Sequence, residues 1–194
     1  MRPRNAAGVR ARVAMHAALL LTSLLWLVFA ALAAPAAAQS VSVRAVVGVP
    51  GYTVFVGDGQ LGHQTPIHDP ACVVATGDAS RSDGVVLWFS ERLGHRVRRM
   101  NANGLIATHA GDGSDSFYGD GGAATDAALQ RPNGIAVWTN VTSGGARVWI
   151  ADAMNDRIRF VNESGIITTV AGGGSGGWGG NGGAATDAGL VNPT

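Results

Sequence analysis

A nine-residue block that occurs twice sets the strongest limit on what this chain can fold into. Gly119–Ala127 reads GDGGAATDA and Gly180–Ala188 reads GNGGAATDA, 61 residues apart and identical at eight of nine positions. The same offset aligns Leu87–Gly111 (LWFSERLGHRVRRMNANGLIATHAG) with Val148–Gly172 (VWIADAMNDRIRFVNESGIITTVAG), with nine of 25 positions identical. Most of the remainder swap like for like, as in Phe89/Ile150, Glu91/Asp152, Val97/Ile158 and Leu105/Ile166. A glycine-rich loop and a strand-like run that recur at one offset define a tandem structural repeat.

One full unit can be read from its turns. Gly134–Val137 is a short apolar run after Pro132-Asn133, and Asn140–Ala146 (NVTSGGA) is a polar hairpin connection. Val148–Asp152 is a second strand, Ala153–Asp156 a turn, and Arg157–Val161 a third strand. Asn162–Gly165 turns again, and Ile166–Ala171 is the fourth strand. Four short strands joined by tight turns, and repeated, are the sequence form of an antiparallel propeller blade. The predicted fold class is therefore all-β: about two four-stranded blades plus the start of a third, in an incomplete ring. The units are placed at about 46–111, 107–172 and 169–194, with a larger hairpin insertion at Thr76–Gly84 and a helical turn at Ala123–Leu129. Pro193 aligns with Pro132, so the sequence stops just before the first strand of a third blade. A propeller covers each blade with its neighbours in a ring of roughly four to eight. Further blades, in the same product or by self-association, are expected to complete it, with six the expected number.

The N-terminal part is read separately. Arg2, Arg4, Arg10 and Arg12 precede an apolar run from Ala17 to Ala34, followed by Pro35 and Ala36-Ala37-Ala38. That order is a secretory signal, with cleavage expected after Ala38, and an uncleaved anchor is the alternative. The propeller segment then occupies 39–194, with a first strand expected at Val41–Val47. All 14 basic residues are arginines, and four lie in this leader. The remaining ten face 13 acids, so a nucleic-acid partner loses its electrostatic support. Cys72 is the single cysteine, so no internal disulfide is available, and its apolar surroundings suggest a buried thiol. Asn140 and Asn162 head glycosylation triplets.

Candidate chemistry is sparse. Gly57–Gly62 fits G-x-G-x-x-G, but Pro66 and Pro70 exclude the helix a dinucleotide site needs. It reads as a degenerate first glycine loop, with Asp58 opposite Asp120. Asp112, Asp115 and Asp120 have the residue type and close spacing of a calcium loop, but the equivalent loop lacks all three, so glycine-dependent turns are the preferred reading. His63, His68, His95 and His109 have no metal spacing, His16 lies in the leader, and His95 and His109 are not repeated as residue types. Asp152, Asn155, Arg157 and Arg159 form a polar signature echoed by Glu91, Arg96 and Arg98, and are expected to order the blade. Trp88 and Trp149 share one strand position and are expected in the core. Phe117, Tyr118 and Trp178, in the glycine loops, are the candidate contact aromatics.

The pattern V-W-I-A-D-x-x-N-x-R-I-R-x-V, then G-I-I-T-T-V-A-G, then G-x-G-G-x-A-T-x-A-x-L-x-x-P, resembles the NHL repeat. It is closest to the long-loop variety of secreted and cell-surface propellers, teneurin-type proteins included. The resemblance runs from about Val46 to Thr194. The first copy departs from it at Ser90-Glu91, Gly94-His95 and Pro70-Ala71-Cys72-Val73. It implies an exported, non-catalytic module for a protein or glycan partner, with no cofactor and with membrane contact only through an uncleaved leader; the family also includes RNA binders, and no nucleic-acid partner is expected here on the charge balance above. The alternative it implies is a fragment of a secreted propeller enzyme such as a metal-dependent lyase.

Overall fold

The computed structural model describes residues 48, 55, 57–77, 85–140, 142–174 and 177–194. The expected leader and the strand at Val41–Val47 lie outside the described residues, as do Asp78–Gly84 of the hairpin insertion. The described residues all fall in one compact unit, Ala45–Thr194, and among them no helix is long and apolar enough to cross a membrane.

Two four-stranded antiparallel sheets follow one another along the chain. The first is β1 (Pro70–Gly77), β2 (Val85–Glu91), β3 (Arg96–Met100) and β4 (Ile106–Ala110). The second is β5 (Pro132–Thr139), β6 (Ala146–Asp152), β7 (Arg157–Val161) and β8 (Ile167–Gly172). Each sheet keeps its strands in sequence order, as propeller blades do. The two blades do not close a ring. β5 is longer than the expected Gly134–Val137, because Pro132 already pairs with Asp152 and the ladder resumes at Ile135 beyond a bulge. β1 carries the same bulge between Pro70 and Val73. The helical turn expected at Ala123–Leu129 is a single 3-10 turn, Ala124–Asp126.

The two blades pack face to face through complementary surfaces. Blade 1 contributes Val86, Trp88, Val97 and Ala110, and blade 2 contributes Ile135, Val148, Ile150, Val161 and Ile167. Hydrogen bonds cross the seam as well: the Ser90 hydroxyl donates to the Asn133 carbonyl at 2.5 Å. Cys72 is half-buried at this seam, its thiol 3.9 Å from the Ile135 carbonyl. The loop between the blades seals the junction with Ala124, Ala127 and Leu129, all at most 2 % exposed. Burial on both faces explains the near-continuous apolar sequence of β2, whereas β6 buries Val148 and Ile150 on one face and leaves Arg147 and Trp149 exposed on the other.

The expectation that both repeat tryptophans lie in the core needs correction. Trp88 is 2 % exposed, but Trp149 is 37 % exposed, its ring tilted against Phe160 with centroids 5.1 Å apart. The two occupy the same place in their own blades. Blade 2 covers Trp88, whereas Trp149 lies on the side of blade 2 that faces away from blade 1.

Candidate interaction surface

The polar signature forms one buried cluster per blade. In blade 2, Arg159 is fully buried and spreads its guanidinium over four acceptors. It reaches Asp152 Oδ2 at 3.3 Å, Asp120 Oδ1 at 2.8 Å, and the carbonyls of Ala128 at 3.2 Å and Tyr118 at 3.3 Å. Asp152 in turn accepts from the Gln130 amide at 2.7 Å and from Asn155 Nδ2 at 2.9 Å. Burial is the largest influence on its carboxyl and holds it above the usual carboxylate range, against these donors and Arg159. Each glycine-loop acid is thereby tied to the strand-three arginine of the blade it precedes.

Blade 1 repeats this arrangement with losses. Arg98 is 1 % exposed and reaches Glu91 Oε2 at 3.3 Å and Asp58 Oδ1 at 3.0 Å, so Asp58 does what Asp120 does. The His68 amide donates to Glu91 Oε1 at 3.3 Å, as the Gln130 amide does to Asp152. Gly94 stands where Asn155 stands, however, and a cavity of about 300 Å³ opens beside Glu91, Arg96 and Phe55. Arg98 Nε is left without a partner. Glycine-loop residues 57–62 lead into a 3-10 turn at Gly62–Gln64, not a helix, which removes the nucleotide geometry.

Only one arginine of each pair joins the acid. Arg157 donates to the Asn155 carbonyl at 2.6 Å and lies 3.9 Å from the Phe117 ring centroid; Arg159 lies 4.9 Å from it. Arg96 and Arg98 flank Phe55 in the same way, at 3.9 and 5.0 Å. Phe117 is thus half covered by its own blade. Tyr118 donates its hydroxyl to Asp112 and sits 44 % exposed, while Trp178 is 87 % exposed.

The other candidates spread out. Asp112 accepts from Tyr118 and Ser114; burial raises its carboxyl, but these bonds outweigh it and hold it below the usual range. Asp115 lies 3.8 Å from His95, and Asp120 is committed to Arg159. No group of three or more His, Cys, Asp or Glu among the described residues is placed to hold a metal. Asn140 and Asn162 sit in turns, where Asn162 Oδ1 accepts the amides of Ser164 and Ile166. His109 packs edge-on against Trp88, ring centroids 4.8 Å apart. Burial above all, and then Arg99, push its pKa down to about 4.

His95 has a repeated task although its residue type is not repeated. Its Nδ1 accepts the Arg131 amide at 3.3 Å, and Asp156 Oδ1 accepts the Asn192 amide at 2.8 Å. Asp69, Arg131 and Asn192 immediately precede Pro70, Pro132 and Pro193, and all three have positive φ, at 52°, 50° and 44°. For residues other than glycine that conformation costs roughly 1–2 kcal/mol each. These lead-ins converge on a pocket of about 210 Å³, which Arg92, Leu93 and Met154 also line. Leu93 and Met154 are the equivalent tips of the β2–β3 and β6–β7 turns, 49 % and 52 % exposed. Neither was singled out from the sequence, although the 61-residue offset aligns them.

Repeated four-stranded blades, each keyed by an acid–arginine cluster and led in by a glycine loop, define a partial β-propeller. The Teneurin NHL domain family matches residues 109–177 and supports the recognition of NHL repeats in this chain. No curated protein matches the chain. Among solved structures, it is similar to an auxiliary nutrient binding protein from Bacteroides thetaiotaomicron VPI-5482, with 21% identity and a TM-score of 0.45 over 56% of this chain and 28% of that one. It is also similar to an auxiliary nutrient binding protein from Bacteroides ovatus ATCC 8483, with 20% identity and a TM-score of 0.39 over 54% and 26%. The chain thus spans little more than a quarter of either structure's length.

Proposed function

We propose that the chain is exported and acts as a non-catalytic module that holds a protein partner at the end of the blades bearing the β2–β3 and β6–β7 turns. The observation that carries this reading is the pair Leu93 and Met154, exposed at the same repeat position around one pocket with Arg92 and Arg131. Large apolar tips, methionine and arginine on an otherwise polar rim have the composition of protein contact surfaces. Methionine adds a flexible side chain that can fit more than one shape. Export rests on the basic leader, the apolar run and the Ala-x-Ala site.

The test is selection of a displayed peptide library on the immobilised chain, run beside a glycan array. Peptides that pair an apolar anchor with acidic residues are expected, and they should lose binding to the Leu93→Asp/Met154→Asp double variant. Binders indifferent to both substitutions, or recognition on the glycan array alone, would overturn the reading.

A further inference from the structure

Glu91 and Asp152 hold the same place in their blades, but their carboxylates are not equally satisfied. Asp152 accepts the Gln130 amide at 2.7 Å, Asn155 Nδ2 at 2.9 Å and Arg159 at 3.3 Å. Glu91 is almost as deeply enclosed, its side chain 3 % exposed. Its bonds from the His68 amide and from Arg98 are nevertheless both 3.3 Å long, past the ordinary N–H···O range of about 2.7–3.2 Å. An ionised carboxylate has about four acceptor positions, so Glu91 has capacity to spare.

The difference traces to one residue. Asn155 Nδ2 donates to Asp152 and also to the Ser116 carbonyl at 3.0 Å. Gly94 takes its place in blade 1, and a cavity of about 300 Å³ reaches Glu91 there. A Cβ built on Gly94 would come within 3.0 Å of Glu91 Oε2, so this oxygen faces the space that an asparagine side chain takes in blade 2. The additional methylene of glutamate does not fill it. Phe55, Ile67 and Leu93 give the cavity an apolar wall. Arg96 adds a guanidinium that donates to the carbonyls of Gly94 and Asp112. Phe55 and Leu93 are both half exposed, so the cavity is reached from the surface. Its size is at the lower end of cavities that take small molecules.

Charge selects the occupant. An anion would meet the buried Glu91 carboxylate, and a cation would meet Arg96 and Arg98. A neutral group that both donates and accepts suits the two sides. We propose that this cavity is a binding site for a primary carboxamide on a short aliphatic stem. Its N–H donates to Glu91 Oε2, its oxygen accepts from Arg96, and its methylenes lie against Phe55 and Ile67. The ligand does for blade 1 what the Asn155 side chain does for blade 2. The carboxamide belongs either to a glutamine side chain of a partner or to a free small amide. The site shares only Leu93 with the pocket at the turn tips and does not rest on the function proposed for it.

The test titrates the full chain with butyramide, with butyrate, and with the peptide N-acetyl-Gly-Gln-Gly N-methylamide beside its glutamate counterpart, followed by NMR. Butyramide and the glutamine peptide are expected to bind, and each acidic analogue about tenfold or more weakly. Tighter binding of the peptide assigns the carboxamide to a partner's side chain, and tighter binding of butyramide to a free amide. Nuclear Overhauser contacts from the butyramide methylenes to the Phe55 ring and the Ile67 methyls should locate it without any substitution. The Glu91→Asp/Gly94→Asn double variant gives blade 1 the acid–amide pair of blade 2 and should weaken butyramide about tenfold or more. Met154→Asp lies at the other pocket and should leave butyramide binding unchanged, so the two readings fail independently. Binding of neither amide, butyrate bound as well as butyramide, or contacts only away from Phe55 and Ile67 would overturn the proposal. Undiminished binding by the folded double variant would do the same.

Discussion

Arg159 shows how much of this molecule rests on single polar side chains. A buried guanidinium is tolerated only when its donors find acceptors, and Asp152 is the one ionic partner buried with it. Removing one member of a buried pair typically costs about 3–5 kcal/mol, because the other charge is left uncompensated. Asp152→Ala should therefore lower stability by about that amount, which urea unfolding would measure. Asp120→Ala should cost less, since its carboxylate is 40 % exposed and water can replace it. His109 makes a pH-dependent contribution of definite sign. Its pKa in the fold, about 4, lies below the ordinary 6.5, so the unfolded chain binds the proton first as pH falls. Its neutral form costs nothing above about pH 6.5. Stability then drops between pH 6.5 and 4, by up to about 3 kcal/mol, and levels off below. Replacing it with the residue at the equivalent position, Val170, should flatten that interval. A His109→Val variant whose stability fell as steeply as the parent's over this range would contradict the assignment.

At the scale of the element, the bulges and the positive-φ residues carry the architecture. The ladder slips between Val97 and Arg98 and again between Ile158 and Arg159, leaving His109 and Val170 outside the regular pairing. An extra residue there bends the strand and re-aims its neighbours. Gly172 ends β8 at φ 84°, and a Cβ there would collide with the Asp156 carbonyl and approach Arg157 Cα to 2.9 Å. Gly165 has a similar φ of 78° but open space around it. Gly172→Ala should thus destabilise clearly more than Gly165→Ala, for which only the backbone penalty of about 1–2 kcal/mol applies. Equal losses in thermal or urea unfolding would show that the close approach is not what requires glycine. The strands and turns were legible from the offset and from turn chemistry. The bulges were not, because one extra residue in a ladder leaves no mark in an apolar run.

At the scale of the whole molecule, the repeat offset determined the all-β class, the four strands per blade and their order. Those features follow from local pattern: turn residues at fixed spacing, alternation, and glycine where φ is positive. It also determined that an acid and an arginine recur together. Which arginine meets the acid was decided only by the tertiary structure, since Arg159 points into the seam while Arg157 turns to Phe117. The fates of Trp88 and Trp149 were decided there too. Their sequence positions are equivalent, but burial depends on what packs against a face, and blade 2 covers one and leaves the other open. The Leu93 and Met154 tips belong to the same class. Their turns are local, but the pocket they share exists only because packing brings the lead-ins of successive blades together.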